Sequence, residues 1–434
     1  MLNASQYLEL YDSAKAQLGE RVEERLRFLE QHDLDAAFTT TDYGVNVMRI
    51  PFAVDIAKSF GCNVPAVSAA PAVVVNDIFS VPPKLAERLP EGVKFMSLRR
   101  AVTEFPELIP NNIEGIDDGE ARLNDLLWSD GAFLYVAPGT ILSKPLQLVN
   151  IFSSPVDLMA IRRITVHIGQ GSEAHLLLCD HTQDSENKYL SAELIRINIE
   201  QDAKFGLDLL EESSAKTTRR ATINATIGQN GTFECTNATL SCGDTRTRIN
   251  VNLNNQGACA RVNGMVIADK EQRATYLTRV LHKAENTFSN QLFKYVADGN
   301  SQCEFNGKIV VDEKARFTEA YQTNRNLIAS ETAKMHTEPA LEIYCDEVKC
   351  SHGATTGQLD PNALFYMRQR GIPEMQARKM LMEAFVGDVI DSVHIPGLRD
   401  RLHHLVERRF SGLGSDVASC ADCDLQKQTT PNNA

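Results

Sequence analysis

Ile195-Arg196-Ile197-Asn198-Ile199, Ile223-Asn224-Ala225-Thr226-Ile227 and Ile249-Asn250-Val251-Asn252-Leu253 write one pattern three times. Aliphatic residues hold alternate positions and polar or small residues the positions between. A period of two belongs to an extended strand with one face buried and the other wet. The three segments start 28 and then 26 residues apart. Each runs into a turn-forming stretch: Glu200-Gln201-Asp202-Ala203, Gly228-Gln229-Asn230-Gly231 and Asn254-Asn255-Gln256-Gly257. A second apolar position falls ten residues from each strand start, at Phe205, Phe233 and Cys259. Upstream, Ile164, Val166 and Ile168, followed by Gly169-Gln170-Gly171 and Ala174, repeat the unit.

A recurring strand–turn–strand unit of this length is what a β-solenoid coil requires. One coil cannot bury its own apolar face, so coils stack until their faces form one continuous core. An antiparallel sandwich also yields short alternating strands, but it seldom keeps a fixed offset between them. The spacing therefore favours the solenoid.

Working outward, the chain divides into four parts. Residues 1–130 form an N-terminal helical and mixed region. Within it, Tyr11, Leu18, Val22, Leu26 and Leu29 recur at helical spacing between charged residues, an amphipathic helix over residues 6–31. Residues 131–359 form the solenoid core and residues 360–412 a helical domain. There Pro361, Pro373 and Pro396 each open a helix and Gly371 closes the first. The third helix carries a basic outer face of Arg399, Arg401, His403, Arg408 and Arg409. Residues 413–434 turn to Gly, Ser, Asp, Asn and Gln and read as a disordered tail.

The chain has 434 residues, 43% of them hydrophobic, and a formal net charge of -13. That charge argues against a nucleic-acid partner, which needs concentrated Lys and Arg. No apolar run approaches a membrane span and no charged leader precedes an apolar stretch, so a cytoplasmic protein is expected. Ten cysteines in such a chain read as reduced thiols. Cys62, Cys179, Cys235, Cys242, Cys259 and Cys303 sit in apolar or strand-like surroundings, as small buried hydrophobes. Phosphate loops, GxSxG elbows and HExxH helices are missing from the sequence.

One segment carries candidate chemistry: Leu341-Glu-Ile-Tyr-Cys-Asp-Glu-Val-Lys-Cys-Ser-His-Gly-Ala-Thr-Thr-Gly-Gln-Leu-Asp360. Cys350 and His352 are two apart, so on a strand a thiol and an imidazole project from one face. That donor pair suits iron–sulfur species, zinc or copper. Cys345 lies five residues earlier, which strict alternation places on the opposite face. Two ligands do not complete a tetrahedral site. A second subunit supplying the remainder would make sense of the pair.

The stretch from Met335 through Asp360, continuing into Leu364-Phe-Tyr-Met-Arg-Gln-Arg-Gly-Ile372, resembles the C-terminal signature of the SufB/SufD family. Leu134-Tyr-Val-Ala-Pro-Gly-Thr-Ile-Leu-Ser-Lys-Pro-Leu-Gln-Leu148 resembles the entry to that family's β-helix. The Lys349-Cys-Ser-His-Gly-Ala-Thr segment, with Met367 where SufB has a cysteine, is similar to the SufD type.

The resemblance implies a right-handed parallel β-helix between helical ends, acting as a non-catalytic scaffold for iron–sulfur cluster assembly. It implies a SufB-like paralogue bound through the β-helices, and a SufC-type ABC ATPase docked on the C-terminal helices. When alone, the chain would form a homodimer. Cys350 and His352 would contribute to a transient nascent cluster shared with SufB, with no cluster held permanently by the isolated chain. Metal loading would weaken as pH falls through the histidine range. For ATPase docking, Met380, Leu381, Phe385, Val389 and Val393 on the second C-terminal helix are the candidates. Two other readings compete. One is a secreted-type β-helix polysaccharide lyase or hydrolase, which would need an export signal and clustered catalytic groups. The other is a zinc or redox protein using Cys420-x-x-Cys423 in the tail.

Overall fold

The computed structural model describes residues 71–412, apart from 82–84, 86, 110–120, 122–123, 125–127, 129, 155–156 and 184–185. The helix expected over residues 6–31, Cys62, the tail and Cys420/Cys423 lie outside the described residues.

The alternating segments build two sheets wound by one chain. The first holds β1 (Ala72–Val75), β2 (Ile78–Ser80), β5 (Leu146–Phe152), β7 (Glu173–Thr182), β9 (Lys204–Glu212), β11 (Thr232–Ser241), β13 (Cys259–Ala268), β15 (Phe288–Ala297), β17 (Glu319–Ile328) and β19 (Lys349–Gly357). The second holds β3 (Val93–Ser97), β4 (Gly131–Val136), β6 (Leu158–Ile168), β8 (Tyr189–Ile199), β10 (Thr217–Ile227), β12 (Asp244–Leu253), β14 (Arg273–His282), β16 (Gln302–Val311) and β18 (Lys334–Ile343). From β4 onward the chain alternates between the sheets and neighbouring strands pair in parallel, a β-solenoid of about eight turns. The first end is finished differently: β1 with β2, and β3 with β4, pair antiparallel. Strands between residues 72 and 97 thus already belong to the two sheets.

The isoleucines that define the repeat stack on one another. Ile164, Ile195, Ile223 and Ile249 are successive register partners in the second sheet, all buried. Each such side chain contributes roughly 1.5–3 kcal/mol through burial. Opposite them, Ala174, Phe205 and Phe233 stack in the first sheet. The next member is Ala260, not Cys259. Residues 228–231 connect β10 to β11, whereas residues 254–258 connect β12 to β13. The extra residue moves the inward position by one, leaving Cys259 half-buried. Cys179, Cys235, Cys242 and Cys303 are buried as expected.

The early coils also bury charge. Arg162 bonds Asp180 at 2.9 Å, while Arg219 reaches Glu193 at 2.7 Å, Asp180 at 3.2 Å and Glu211 at 3.9 Å. Burial pushes the Glu193 and Glu211 carboxyls above their ordinary range, and Asp180 beside Glu193 adds to it. Despite its burial, Arg219 is held more firmly protonated by these carboxylates.

Prolines begin the C-terminal helices where the sequence predicts. Following α1 (Leu98–Glu104), they are α2 (Pro361–Gln369), α3 (Glu374–Asp391) and α4 (Pro396–Phe410). The Asp360 carboxylate caps α2 by accepting from the Asn362 backbone N–H at 2.9 Å, and Gly371 at φ +86° ends that helix in the left-handed region. α3 packs along the outer face of β13 and β15, and α4 along β11. Val386, Val389, Ile390, Val393, Leu398 and Leu402 share one apolar cluster with Leu240, Ile267 and Val296 of the solenoid. The basic face expected on α4 is divided. Arg401 is buried, and Arg409 turns onto the solenoid to bind Asp269.

Candidate functional site

Each coil of the solenoid is covered by the next, until the last. β18 and β19 are the terminal strands of their sheets, and most of their residues are exposed or half-buried. Cys350 and His352 lie on β19 in register with Ala320 and Gln322 of β17, two buried, bore-facing positions. Thiol and imidazole therefore share the bore face of an uncovered coil, as the two-residue spacing predicts. Cys350 is half-buried and His352 exposed. Burial raises the Cys350 thiol above its ordinary range, partly offset by a backbone hydrogen bond at Ala320. Burial thus disfavours the thiolate form at this position.

Cys345 departs from the expectation of an opposite face. It lies in the turn between β18 and β19, where alternation stops, and packs with Cys350 and Val348 against Ile309, Val311, Ala315 and Ala320. Both thiols therefore border one apolar corner of the open coil. Among the described residues, no three His, Cys, Asp or Glu side chains gather closely enough to hold a metal ion.

The docking candidates on α3 separate by burial. Val389 is buried against the first sheet, as is Val393, which lies just past the end of α3 rather than on it because the helix stops at Asp391; Leu381 and Phe385 are half-buried and Met380 is exposed. Leu381 and Phe385 line a groove of about 310 Å³ together with Asn326, Leu327 and residues 355–360. The groove puts the helix beside the far end of the strand that carries Cys350 and His352. Lys294, which the sequence reading missed, fixes that arrangement. Its buried ammonium donates to the Phe385 carbonyl at 2.7 Å and to Asp388 at 2.5 Å. A single lysine inside a strand gives no sequence signal for such a role; only the packing of α3 shows it. Phe365, Tyr366 and Met375 add large exposed apolar side chains on α2 and α3.

Family comparison adds to this geometry. Residues 151–385 match the model for the SUF system FeS cluster assembly SufBD core domain, and residues 23–148 match the SufBD protein N-terminal region. The chain belongs to the SufBD family. A SufBD family protein of Synechocystis is 26% identical over 369 residues, covering 82% of this chain and 81% of the relative. Bacillus subtilis SufD is 26% identical over 326 residues, 74% of each chain. Escherichia coli SufD is 33% identical over 167 residues, 38% of this chain and 40% of that one. SufBD members are scaffold-type components of iron–sulfur cluster assembly, and this chain's likeness is to the SufD type. No helix among the described residues is long and apolar enough to cross a membrane.

Proposed function

We propose that this SufBD chain is a cytoplasmic, non-catalytic scaffold subunit whose last coil forms half of a cluster-assembly site. Cys350 and His352 face the bore on an uncovered strand edge, and that observation carries the reading. Two donors do not enclose a cluster, so a SufB-like paralogue docked on β18 and β19 supplies the others. The nascent iron–sulfur cluster is cargo, shared at the interface and passed on. The thiolate binds iron directly, while the imidazole binds it or accepts a proton as the thiol ionises.

A SufC-type ATPase docks on α2 and α3 through Met380, Leu381 and Phe385. Val389 of the same helix and Val393, just past its end, anchor it to the solenoid. Since α3 borders β19 across the groove at Phe385, nucleotide-driven movement of the ATPase reaches the coil that bears the site. Such coupling shifts the population between closed and open interfaces.

Anaerobic cluster reconstitution on the co-expressed three-subunit complex tests the site. His352→Ala is expected to lose cluster absorbance while the complex still purifies intact. Full loading of both His352→Ala and Cys350→Ala would reduce the two residues to packing.

A further inference from the structure

We propose that the last three coils of the solenoid enclose a water-binding column, walled by Thr278, Gln291 and Gln322 and opening beside His352. It stands independently of the cluster reading, with which it shares only its mouth.

Two facing columns of bore residues change character at the same coil. In the second sheet the ladder Ile164–Ile195–Ile223–Ile249 continues as Thr278, Gly307 and Pro339. In the first, Leu176, Leu207, Cys235 and Val262 continue as Gln291, Gln322 and His352. The columns meet across the bore, because a Cβ added at Gly307 would overlap the Gln322 amide nitrogen. Gln291, Gln322 and Thr278 are 0%, 1% and 4% exposed. The amide oxygen and nitrogen of both glutamines and the hydroxyl of Thr278 have no hydrogen-bond partner. Asn324, two residues from Gln322, provides the contrast. It donates to the Phe293 carbonyl at 3.3 Å and accepts from Thr337 at 2.8 Å and Asn326 at 2.7 Å.

Five orphaned polar atoms in one line are costly, and buried polar groups in native proteins find partners. Valine, cysteine and leucine fill the next three places inward in the same column, at Val262, Cys235 and Leu207, so packing alone does not call for glutamine here. A water molecule accepts and donates and bridges two to four such groups, which matches what two amides and a hydroxyl offer. Val262 and Ile249 close the inner end with apolar side chains. The column is therefore blind, and water enters at the open coil past His352 and Pro339. When another chain covers that coil, the interior still delivers hydrogen-bonding solvent to the covered face.

A crystal structure of the full chain at a resolution that shows solvent tests the proposal. Ordered water bonded to the Gln291 and Gln322 side chains is the expected result. A dry column, with the two amides bonded to each other, overturns it. Gln291→Leu and Gln322→Leu provide a second readout. If water already satisfies the amides, Tm rises by no more than about 3 °C in either variant. A larger rise would mean that each substitution removed a dry, unsatisfied group, and it would overturn the proposal.

Discussion

Arg409 of α4 clamps Asp269 of the solenoid through two parallel N–H···O bonds of 2.7 Å each. The same guanidinium donates to the Leu240 carbonyl at 2.7 Å and to Gln272 at 2.9 Å. Both ion-pair bonds are charge-assisted and only partly exposed, so the clamp holds the last helix to its sheet. Lysine cannot reproduce the fork. Arg409→Lys should weaken the attachment of α4 by about 2 kcal/mol. Hydrogen exchange over residues 396–410 should quicken roughly 30-fold, with protection of β8 to β14 unchanged. Equal exchange in parent and variant would show that apolar packing alone holds the helix.

A different kind of dependence joins Arg219 to its three carboxylates. Arg219→Met would remove the cation that Asp180, Glu193 and Glu211 share, leaving Arg162 beside Asp180 and Glu193. Breaking a buried network from one side costs about 3–5 kcal/mol. The denaturant midpoint should fall accordingly, and a loss under about 1 kcal/mol would mean that water reaches the network.

His282 sets an acid limit on stability. Its ring nitrogens lie 2.8 Å from the Thr287 and Ser289 hydroxyls, and burial lowers its pKa to about 4. The folded state therefore holds a neutral imidazole, whereas the unfolded chain protonates near pH 6.5. As pH drops from 6.5 toward 4, the unfolded state takes up the proton first and stability falls, by an amount on the order of 3 kcal/mol for this residue. His282→Gln should flatten that part of the stability–pH curve by one proton. An unchanged slope would place the acid sensitivity elsewhere.

Gly307 leaves room in the bore for the Gln322 side chain opposite. Gly307→Ala would push its methyl into the Gln322 head and the Phe305 ring. Overpacking of this kind costs about 1–3 kcal/mol. A second change, Gln322→Ala, should recover most of that loss. Additive losses in the double variant would separate the two residues.

The solenoid was legible because its core obeys a local rule. Strict alternation in Ile195/Ile197/Ile199 and its repeats fixes which face is buried, and a near-constant offset fixes which residues stack. Where a turn changes length, the rule loses count. The longer connection after β12 explains Ala260 in place of Cys259, and the turn after β18 explains Cys345 beside Cys350 rather than opposite it. Cys350 and His352 were legible as a pair because both lie inside one strand. The polar wall beneath them was not, since Gln291 and Gln322 look in sequence like ordinary solvent-facing residues of an alternating strand. Arg401 and Arg409 misled for the same reason. An amphipathic pattern identifies a helix, but long cationic side chains at its margin go wherever an acceptor waits, and Asp269 lies 140 residues away.

The two ends of the solenoid differ in one respect with consequences for the cell. At the first end, antiparallel strands finish the stack; at the last, β18 and β19 leave two rows of backbone donors and acceptors facing outward. Such rows template further strands, including those of a second copy. Freshly made chains are therefore expected to adhere to one another until their last coil is covered. Overproduction of this chain alone should yield end-to-end dimers or larger aggregates before it yields more dispersed protein. On this expectation, the quantity that stays in solution would follow the supply of whatever occupies that end, which would make balanced synthesis a demand of the fold.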